Sequence, residues 1–314
     1  MIPAFLSLTD PDRLPARLLR PVAAIGNFDG VHRGHRFVFD EAITLARSLG
    51  RPAVALTFNP HPRQFFQPHL QHFQLTPPDV QAERIAAAGL DGLVVLSFNA
   101  ALAGLGAEAF VSDLLVGRLA ISGAVVGADF HYGKGRAGTP ASFAAAGERL
   151  GFSVKLLPQR EDNGEPVSST RIRASLEDGD CETANRLLGY TWFVRGPVIH
   201  GEKRGRDLGY PTANMALAPG TRLRHGIYAV HITIDGAPHG GVASFGRRPT
   251  FDNGAPLLET HVFDFKGDLY GKAIDVAFVR YLRPEAKFDS LDALVRQMDA
   301  DSAEARAILA AAKN

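Results

Sequence analysis

This 314-residue sequence has only one cysteine. It also has no large excess of positive or negative charge and no long apolar run. Its single cysteine, Cys181, excludes a disulfide within the chain and favours a reducing compartment. Its 34 Lys and Arg residues nearly balance 33 Asp and Glu residues, which leaves a net charge of +1. Because proteins that bind nucleic acid generally carry an excess of basic residues, we expect no nucleic-acid partner.

Membrane and export signals are lacking too. The longest apolar-leaning stretch without charge, residues 92–107, contains Ser97, Asn99 and several glycines, and is shorter than the roughly 20 apolar residues of a membrane helix. The N-terminal segment has no basic start and is interrupted by Asp10 and Asp12, unlike a signal peptide. We predict a cytoplasmic protein without a membrane partner, and no pattern indicates its oligomeric state.

The chain does contain enough apolar material for two domains. Hydrophobic residues make up 46% of it, and a domain holds on the order of 150 residues. In the first half, apolar strand patterns over residues 22–25, 53–58, 93–98 and 124–127 alternate with helical ones, which include about residues 35–49 and 107–119. This alternation predicts an α/β fold with a doubly wound parallel sheet. From Trp192 onward, strand patterns follow one another and predict a small antiparallel β-barrel with a closing helix over residues 290–312. We predict domains 1–186 and 187–314.

The string GNFDGVHRGH, from Gly26 to His35, lies between the first predicted strand and the first helix. Ligands of doubly wound sheets bind at the carboxyl ends of strands, and a helix N-terminus attracts phosphate. Gly34 lets the backbone approach a ligand, and His32 and His35 can donate hydrogen bonds to phosphate oxygens. This H-x-G-H spacing resembles the nucleotidylyltransferase superfamily. A zinc site and ordinary surface histidines are the alternatives, although no third zinc ligand follows at a recognisable spacing.

A second phosphate-binding pattern, SSTRIR, opens a later helix and combines hydroxyl and guanidinium groups with free helix N–H groups. Its alternative is a simple helix cap with an exposed basic first turn. The candidate residues are Ser168, Ser169, Thr170, Arg171 and Arg173.

Two further strings follow predicted strand ends and can line the same pocket. They supply polar groups and aromatic rings able to stack on a flat heterocycle. The flavin-binding candidates among them are Asn59, His61, Asp129, Phe130 and Tyr132. A proline-rich turn and a mobile glycine-rich loop are equally good interpretations. Neither a Walker A loop nor a correctly placed dinucleotide-binding glycine pattern is present.

The second half contains its own candidate phosphate site in HGEKRGRDLGYPTAN. Glycines allow this loop to fold closely over phosphates, a lysine can neutralise them, and hydroxyl and amide oxygens suit Mg²⁺. The candidates are Gly201, Lys203, Gly205 and Gly209 for phosphate, with Thr212 and Asn214 for the metal. Glu259, in a later strand, can accept a proton from an attacking alcohol, although a single strand glutamate is more often merely solvated.

Together these strings closely resemble the prokaryotic bifunctional riboflavin kinase/FMN adenylyltransferase family, also called FAD synthetases. The matching strings include GNFDGVHRGH, LTFNPHP, VVGADFHYGKGRAG, SSTRIR, GPVIHGEKRGRDLGYPTAN, FGRRPTF, LETHVFDF and DLYGK. They extend from residue 22 to beyond residue 280, which is nearly the whole chain.

The resemblance implies two successive reactions. The C-terminal module transfers the γ-phosphate of ATP to riboflavin to give FMN, and the N-terminal module transfers AMP from a second ATP to FMN to give FAD and pyrophosphate. The resemblance assigns His32 and His35 to the adenylyl-transfer transition state and Glu259 to the role of catalytic base. It implies that Gly26, Asn27, Phe28 and Asp29 shape the nucleotide pocket. It implies further that Ser169, Thr170 and Arg171 to Arg173 bind the triphosphate and that Thr212 and Asn214 bind Mg²⁺.

Two rival functions stay open at this point. The N-terminal half can be an adenylyltransferase for another phosphorylated acceptor, since H-x-G-H selects ATP and not the acceptor. The chain can also be a flavin-binding sensor without activity. Such a sensor has no need of a base or of groups that stabilise a transition state.

Overall fold

A computed structural model describes residues 5–69, 71–201, 209–247 and 256–311, and the chain divides into two compact units, 1–169 and 170–314. The boundary predicted between residues 186 and 187 concerns functional domains and stays a prediction.

The first unit is built on six parallel strands. They are β1 Leu6–Thr9, β2 Val22–Ile25, β3 Ala53–Asn59, β4 Gly92–Ser97, β5 Gly123–Gly127 and β6 Ser153–Leu157. Their order in the sheet is β1-β4-β3-β2-β5-β6, so the chain winds outward from β2 in one direction and then returns to β5 on its other side. The switch point, where parallel sheets bind ligands, therefore lies between the carboxyl ends of β2 and β5.

Helices cover both faces of this sheet. They are α1 Arg33–Leu49, α2 Pro62–Phe66, α3 Pro78–Ala87, α4 Ala100–Gly104, α5 Ala107–Ala109 and α6 Pro140–Leu150. One core cluster joins Phe39 of α1 and Ile85 of α3 to one face of the sheet, and another joins Phe143 of α6 to the opposite face. The predicted doubly wound α/β architecture is confirmed, because its strands carry apolar side chains on both faces.

The helix predicted over residues 107–119 differs in detail. Only α5 is α-helical there, and Phe110–Arg118 continues as a π-helix. The apolar pattern indicates a helix but does not distinguish the two hydrogen-bonding schemes. Strands β1 and β6 and the short hairpin of β7 Glu161–Asp162 and β8 Glu165–Pro166 were not predicted.

Among the described residues, three helices belong with the second unit: α7 Ser169–Glu177, which begins on the last residue of the first unit, α8 Cys181–Leu188 and α9 Leu291–Ala311. Its six antiparallel strands are β9 Phe193–Pro197, β10 Ala213–Ala216, β11 Gly226–Ile234, β12 Ala237–Arg247, β13 Pro256–Val262 and β14 Ala273–Arg283.

The strand order β10-β13-β12-β11-β14-β9 forms a sheet that closes on itself almost completely, because Ile199, just after β9, bridges to Asn214 of β10. Its interior holds the fully buried rings of Tyr228, Phe245 and Phe278. The two-residue turn Asp235-Gly236, with positive φ at both residues, joins β11 to β12 as its sequence predicts. The predicted antiparallel barrel and closing helix are confirmed.

Helix α9 packs across the barrel through Ala305 and Leu309, which join Ala229 and Phe263 in one apolar cluster. Within the described ranges, no helix is both long and apolar enough to cross a membrane.

Candidate active sites

In the first unit, the segment from Gly26 to His35 leaves β2 at the switch point and enters α1. Its backbone turns sharply, with positive φ at Phe28 (51°), Gly30 (85°) and Val31 (39°). A β-branched residue rarely adopts such a φ, and strained backbone of this kind concentrates at functional sites. This turn places the N-terminus of α1 at the carboxyl ends of the strands, where parallel sheets bind ligands.

His32 caps α1, because its Nδ1 accepts a hydrogen bond from the backbone N–H of His35 at 3.3 Å. A neutral imidazole whose Nδ1 is an acceptor carries its proton on Nε2. The cap therefore selects the tautomer in which Nε2 of His32 is a hydrogen-bond donor. His32 is itself buried, so this donor is held in a defined place.

His35 stacks on His32, with ring centroids 3.5 Å apart and planes 18° from parallel, and meets the edge of the Phe28 ring at 5.2 Å. Burial lowers the pKa of the His35 imidazole well below its ordinary value of 6.5, and neighbouring His32 adds to the effect. His35 is thus neutral at pH 7. Its Nδ1 is buried and has no hydrogen-bond partner among the described residues.

This pair can bind phosphate more readily than metal. Two neutral imidazoles at a helix N-terminus add N–H donors to a partial positive charge. Among the described residues, no group of three or more His, Cys, Asp or Glu side chains is placed to hold a metal ion.

Asp29 supports this loop from behind. Its buried carboxylate accepts hydrogen bonds from the backbone N–H groups of Leu75 and Thr76 at 2.9 and 3.0 Å. The Thr76 hydroxyl in turn accepts from the N–H of Gly30 at 3.0 Å. Sequence reasoning placed Asp29 in the nucleotide pocket. In the structure these contacts make it an anchor that shapes the loop.

The Asn27 carbonyl is held by two side chains that sequence reasoning missed, Thr57 Oγ1 at 3.0 Å and Gln81 Nε2 at 2.9 Å. Gly26 and Gly34 allow close packing: a Cβ at Gly26 would lie 2.9 Å from the Phe28 ring, and one at Gly34 would lie 3.1 Å from the His32 ring. No local signal identifies Thr57 or Gln81, because they reach the loop only through the folded sheet.

The start of the SSTRIR string meets the histidine loop at Ser169, the last residue of the first unit, whose hydroxyl donates to the carbonyl of Asp29 at 2.8 Å. Ser168 precedes it, half-buried, next to Val167, whose carbonyl lies behind Gly34. Thr170, Arg171 and Arg173 follow on α7 in the second unit, and Arg173 is buried there.

The flavin-binding candidates occupy different environments. Asn59 ends β3 and is exposed. His61 stacks on His72, with ring centroids 4.6 Å apart. Nε2 of His72 in turn lies 3.9 Å from the Asp29 carboxylate. His61 is thereby linked to the histidine loop through His72, another residue that sequence reasoning missed.

After β5, Asp129 is exposed and accepts a hydrogen bond from Gln159 at 3.0 Å. Phe130 stacks on Tyr132 at 5.4 Å. Tyr132 itself is buried in the core against Phe143, so its ring packs within the protein.

In the second unit, Asn214 of β10 lies directly opposite Glu259 of β13 in the antiparallel register. Opposite residues point to the same side of a sheet with their Cβ atoms about 5 Å apart. Thr212, two residues before Asn214, lies next to it, and its carbonyl accepts from Asn214 Nδ2 at 3.3 Å. Gly201 is close as well, since a Cβ there would lie 2.4 Å from Asn214 Nδ2.

Asn214 and Glu259 thus bring an amide and a carboxylate to one side of the sheet, with Thr212 beside Asn214. Amide, hydroxyl and carboxylate oxygens are the hard donors that suit Mg²⁺ beside phosphates. Predicted site residues Lys203 and Gly205 lie outside the described residues. Gly209 is described, and its φ of 79° marks a turn before Tyr210.

A cavity of about 500 Å³ lies in the same unit, and its lining includes Tyr210, two residues before Thr212, and His261, two residues after Glu259. Nine residues line it: Gly209, Tyr210, His261, Phe263, Val295, Asp299, Ser302, Ala303 and Arg306. His261 is two residues beyond Glu259 on β13 and so shares its sheet face, since side chains alternate along a strand. The cavity and Glu259 therefore open on the same side of the barrel.

The cavity walls are held by hydrogen bonds. Nδ1 of His261 donates to the carbonyl of Pro211 at 2.9 Å, and the Tyr210 ring lies 4.8 Å from the His261 ring. The Tyr210 hydroxyl donates to Asp299 of α9. Burial and this carboxylate raise the pKa of Tyr210 above its ordinary value, which keeps the hydroxyl protonated. Only Gly209 of the nine was predicted. Tyr210 follows it in the same string but was not singled out, and the other seven come from two distant segments, residues 261–263 and 295–306.

Comparisons with known proteins agree on both halves. A family profile described as FAD synthetase matches residues 15–171, and one described as riboflavin kinase matches residues 188–309. A bifunctional riboflavin kinase/FMN adenylyltransferase of Pseudomonas fluorescens is 41% identical over 290 residues, covering 92% of this chain and 93% of the relative. The protein of that name from Escherichia coli K12 is 36% identical and covers 91% of each chain.

A crystal structure described as a macrolide-efflux protein from Streptococcus pneumoniae has a TM-score of 0.83 and 31% identity. The match covers 92% of this chain and 97% of that one.

Proposed function

Because the chain belongs to the family of bifunctional riboflavin kinase/FMN adenylyltransferases, we propose that each of its two units carries one of these activities and that both use ATP. The predicted family and the order of the two activities along the chain are confirmed by the matches to both halves and to whole relatives. The observation that carries the division of labour is the separation of two chemically different motif sets into two different folds, a parallel sheet and an antiparallel barrel.

In the first unit, adenylyl transfer needs no covalent nucleophile. The phosphate of FMN attacks the α-phosphorus of ATP and pyrophosphate leaves, so the protein contributes positioning and charge stabilisation. The neutral, stacked imidazoles of His32 and His35 donate hydrogen bonds to the α-phosphate as negative charge moves onto its oxygens. The Asp29 anchor and the Ser169 hydroxyl keep their loop in place. Thr170, Arg171 and Arg173 stay predicted contacts of the triphosphate.

In the second unit, Glu259 accepts the proton of the riboflavin 5′-hydroxyl as that oxygen attacks the γ-phosphorus of ATP and ADP leaves. Asn214, opposite Glu259 on the neighbouring strand, and Thr212, just before that strand, would hold Mg²⁺. When bound there, the cation supplies charge neutralisation for the ATP phosphates. Asn214, buried and packed against Gly201, cannot move far, so it keeps its amide in line with the carboxylate.

The cavity beside Glu259 receives the flavin ring of riboflavin in this proposal. Its volume of about 500 Å³ is within the ordinary range of small-molecule pockets, and aromatic and polar side chains line it. Its opening on the Glu259 side of the barrel directs the ribityl chain toward the base. In the first unit, Asn59, His61, Asp129 and Phe130 are the proposed FMN contacts, and Tyr132 supports Phe130 from the core.

Cytoplasmic location, the lack of nucleic-acid and membrane partners, and the boundary between residues 186 and 187 stay predictions.

The test is chromatography of the products after the full chain is mixed with riboflavin, ATP and Mg²⁺. FMN is expected first and FAD second. His35→Ala should abolish FAD formation and preserve FMN formation. Glu259→Gln should lower FMN formation by about 10²- to 10⁴-fold, the usual contribution of general-base catalysis, and still convert supplied FMN to FAD. Loss of both activities in either folded variant contradicts the division of labour.

The same assay separates the rival functions. If wild type phosphorylates riboflavin but makes no FAD from supplied FMN, the first unit acts on another acceptor. If wild type binds riboflavin and consumes no ATP, the chain is a sensor.

A further inference from the structure

Helix α9 is attached to the barrel at two places outside the catalytic constellation. The buried carboxylate of Asp301 pairs with Arg283 of β14 through two hydrogen bonds, at 2.8 and 2.6 Å, and also accepts from Gln297 at 2.9 Å. One turn further, Arg306 pairs with Asp264 at 2.7 and 2.9 Å. With Ala305 and Leu309 also buried, the helix is a rigid support on one side of the cavity.

The opposite wall of the cavity includes Gly209 and Tyr210. Tyr210 precedes β10 and touches His261 through its ring. Its hydroxyl reaches across the cavity to Asp299 on the rigid helix. Tyr210 lies two residues before Thr212 and four before Asn214, so a shift of its ring moves the segment that delivers both groups.

We propose that Asp299 is a positioning residue for riboflavin phosphorylation, which holds one wall of the cavity and the approach to Thr212 through its hydrogen bond to Tyr210. This inference rests on the proposed kinase function of the second unit. Asp299 touches neither ATP nor the reacting oxygen in this scheme. Its effect is therefore expected on riboflavin binding rather than on the chemical step.

The plain alternative is a surface hydrogen bond without a role, because Asp299 is exposed. Two structural features argue against it. Both partners line the same cavity, and the bond joins two segments that lie far apart in the sequence. If the hydrogen bond between Tyr210 and Asp299 had no role in riboflavin binding, its removal would leave KM for riboflavin unchanged.

The experiment measures steady-state FMN formation by the full chain at varied riboflavin. Asp299→Ala should raise KM for riboflavin by about three- to tenfold, the effect of one net hydrogen bond, with kcat within about twofold of wild type. Tyr210→Phe, which removes only the hydroxyl, should give the same rise. The double variant should be no worse than either single one, because both changes remove one interaction.

Three controls separate positioning from a general structural effect. Asp299→Asn keeps an acceptor oxygen and should restore most of the affinity. Glu304→Ala removes an exposed carboxylate from the same helix, away from the cavity lining, and should behave as wild type. FAD formation from supplied FMN should be the same in every variant, since it belongs to the first unit.

An unchanged KM in Asp299→Ala, additive effects in the double variant, or an equal rise in Glu304→Ala overturns the inference. If the wild-type protein forms no FMN, the kinase assignment itself is wrong, and this inference fails with it.

Discussion

Gly201 packs against Asn214, so we predict that adding one methyl group, in Gly201→Ala, impairs riboflavin phosphorylation and leaves FAD formation from supplied FMN intact. A Cβ at residue 201 would lie 2.4 Å from Nδ2, 2.7 Å from Cγ and 2.9 Å from Oδ1 of Asn214. To regain ordinary van der Waals contact, the amide must move by roughly 1 Å. Asn214 is only 4% exposed, so this movement pushes it out of line with Glu259 on the opposite strand.

The magnitude follows from this displacement. A misplacement of about 1 Å in a group that positions the reactants can cost on the order of 100-fold in rate. Crowding of this kind also destabilises a protein by about 1–3 kcal/mol. We therefore expect Gly201→Ala to slow FMN formation by roughly 100-fold, while the first unit continues to make FAD from supplied FMN.

The assay is chromatographic measurement of FMN and FAD formation in separate reactions, with thermal unfolding as a check on folding. Gly236→Ala is the matched control. It introduces a methyl group at a φ of 82° in a turn of the same unit, where no atom lies within 4 Å of the new Cβ. It should lower stability and leave the rate of FMN formation intact. If Gly201→Ala retains more than about a third of wild-type FMN formation, or Gly236→Ala loses as much, the reasoning is refuted.

Three further predictions concern stability and the adenylyl site. Burial lowers the pKa of His35 in the folded chain, so as the pH falls below about 6.5 this imidazole is protonated in the unfolded chain before it is protonated in the folded one. The free energy of unfolding therefore decreases as the pH falls. The unfolding temperature of His35→Asn should fall less than that of wild type between about pH 7 and pH 5; an equal fall contradicts this. Asp301→Ala leaves Arg283 partly buried without its partner and should destabilise the chain by about 3 kcal/mol in urea unfolding, and a loss below about 1 kcal/mol would count against the pair. Ser169→Ala removes the bond to Asp29 and should slow FAD formation by about three- to tenfold with FMN formation unchanged, whereas equal slowing of both reactions would argue for general unfolding.

Local patterns predicted most of the first unit correctly. Strand β2 and the helix after it were predicted within two residues of their observed bounds, because an apolar run, a glycine turn and helical periodicity are all local signals. Strand β1 was not predicted, since Leu6–Thr9 is short and becomes a strand only by pairing with β4. The π-helical hydrogen bonding of Phe110–Arg118 leaves no distinctive sequence pattern either.

Partner segments decided the surroundings of the histidine pair. His32 and His35 were found from their spacing, since a cap and the first turn of its helix are neighbours in sequence. That Asp29 faces Leu75 and Thr76, and that His72 stacks on His61, could not be read from either string alone. Each contact depends on how loops at several strand ends meet.

Taken by itself, the sequence determined the α/β and barrel classes of the two halves and the family to which the chain belongs, and it predicted candidate site residues. These are local properties of motifs and of apolar periodicity. Only the tertiary structure decided that Asn214 faces Glu259, that Gly201 packs on Asn214, and that Tyr210 and Asp299 line one cavity. Strand register and helix docking bring these groups together, and both are set by the packing of the whole barrel rather than by any one segment.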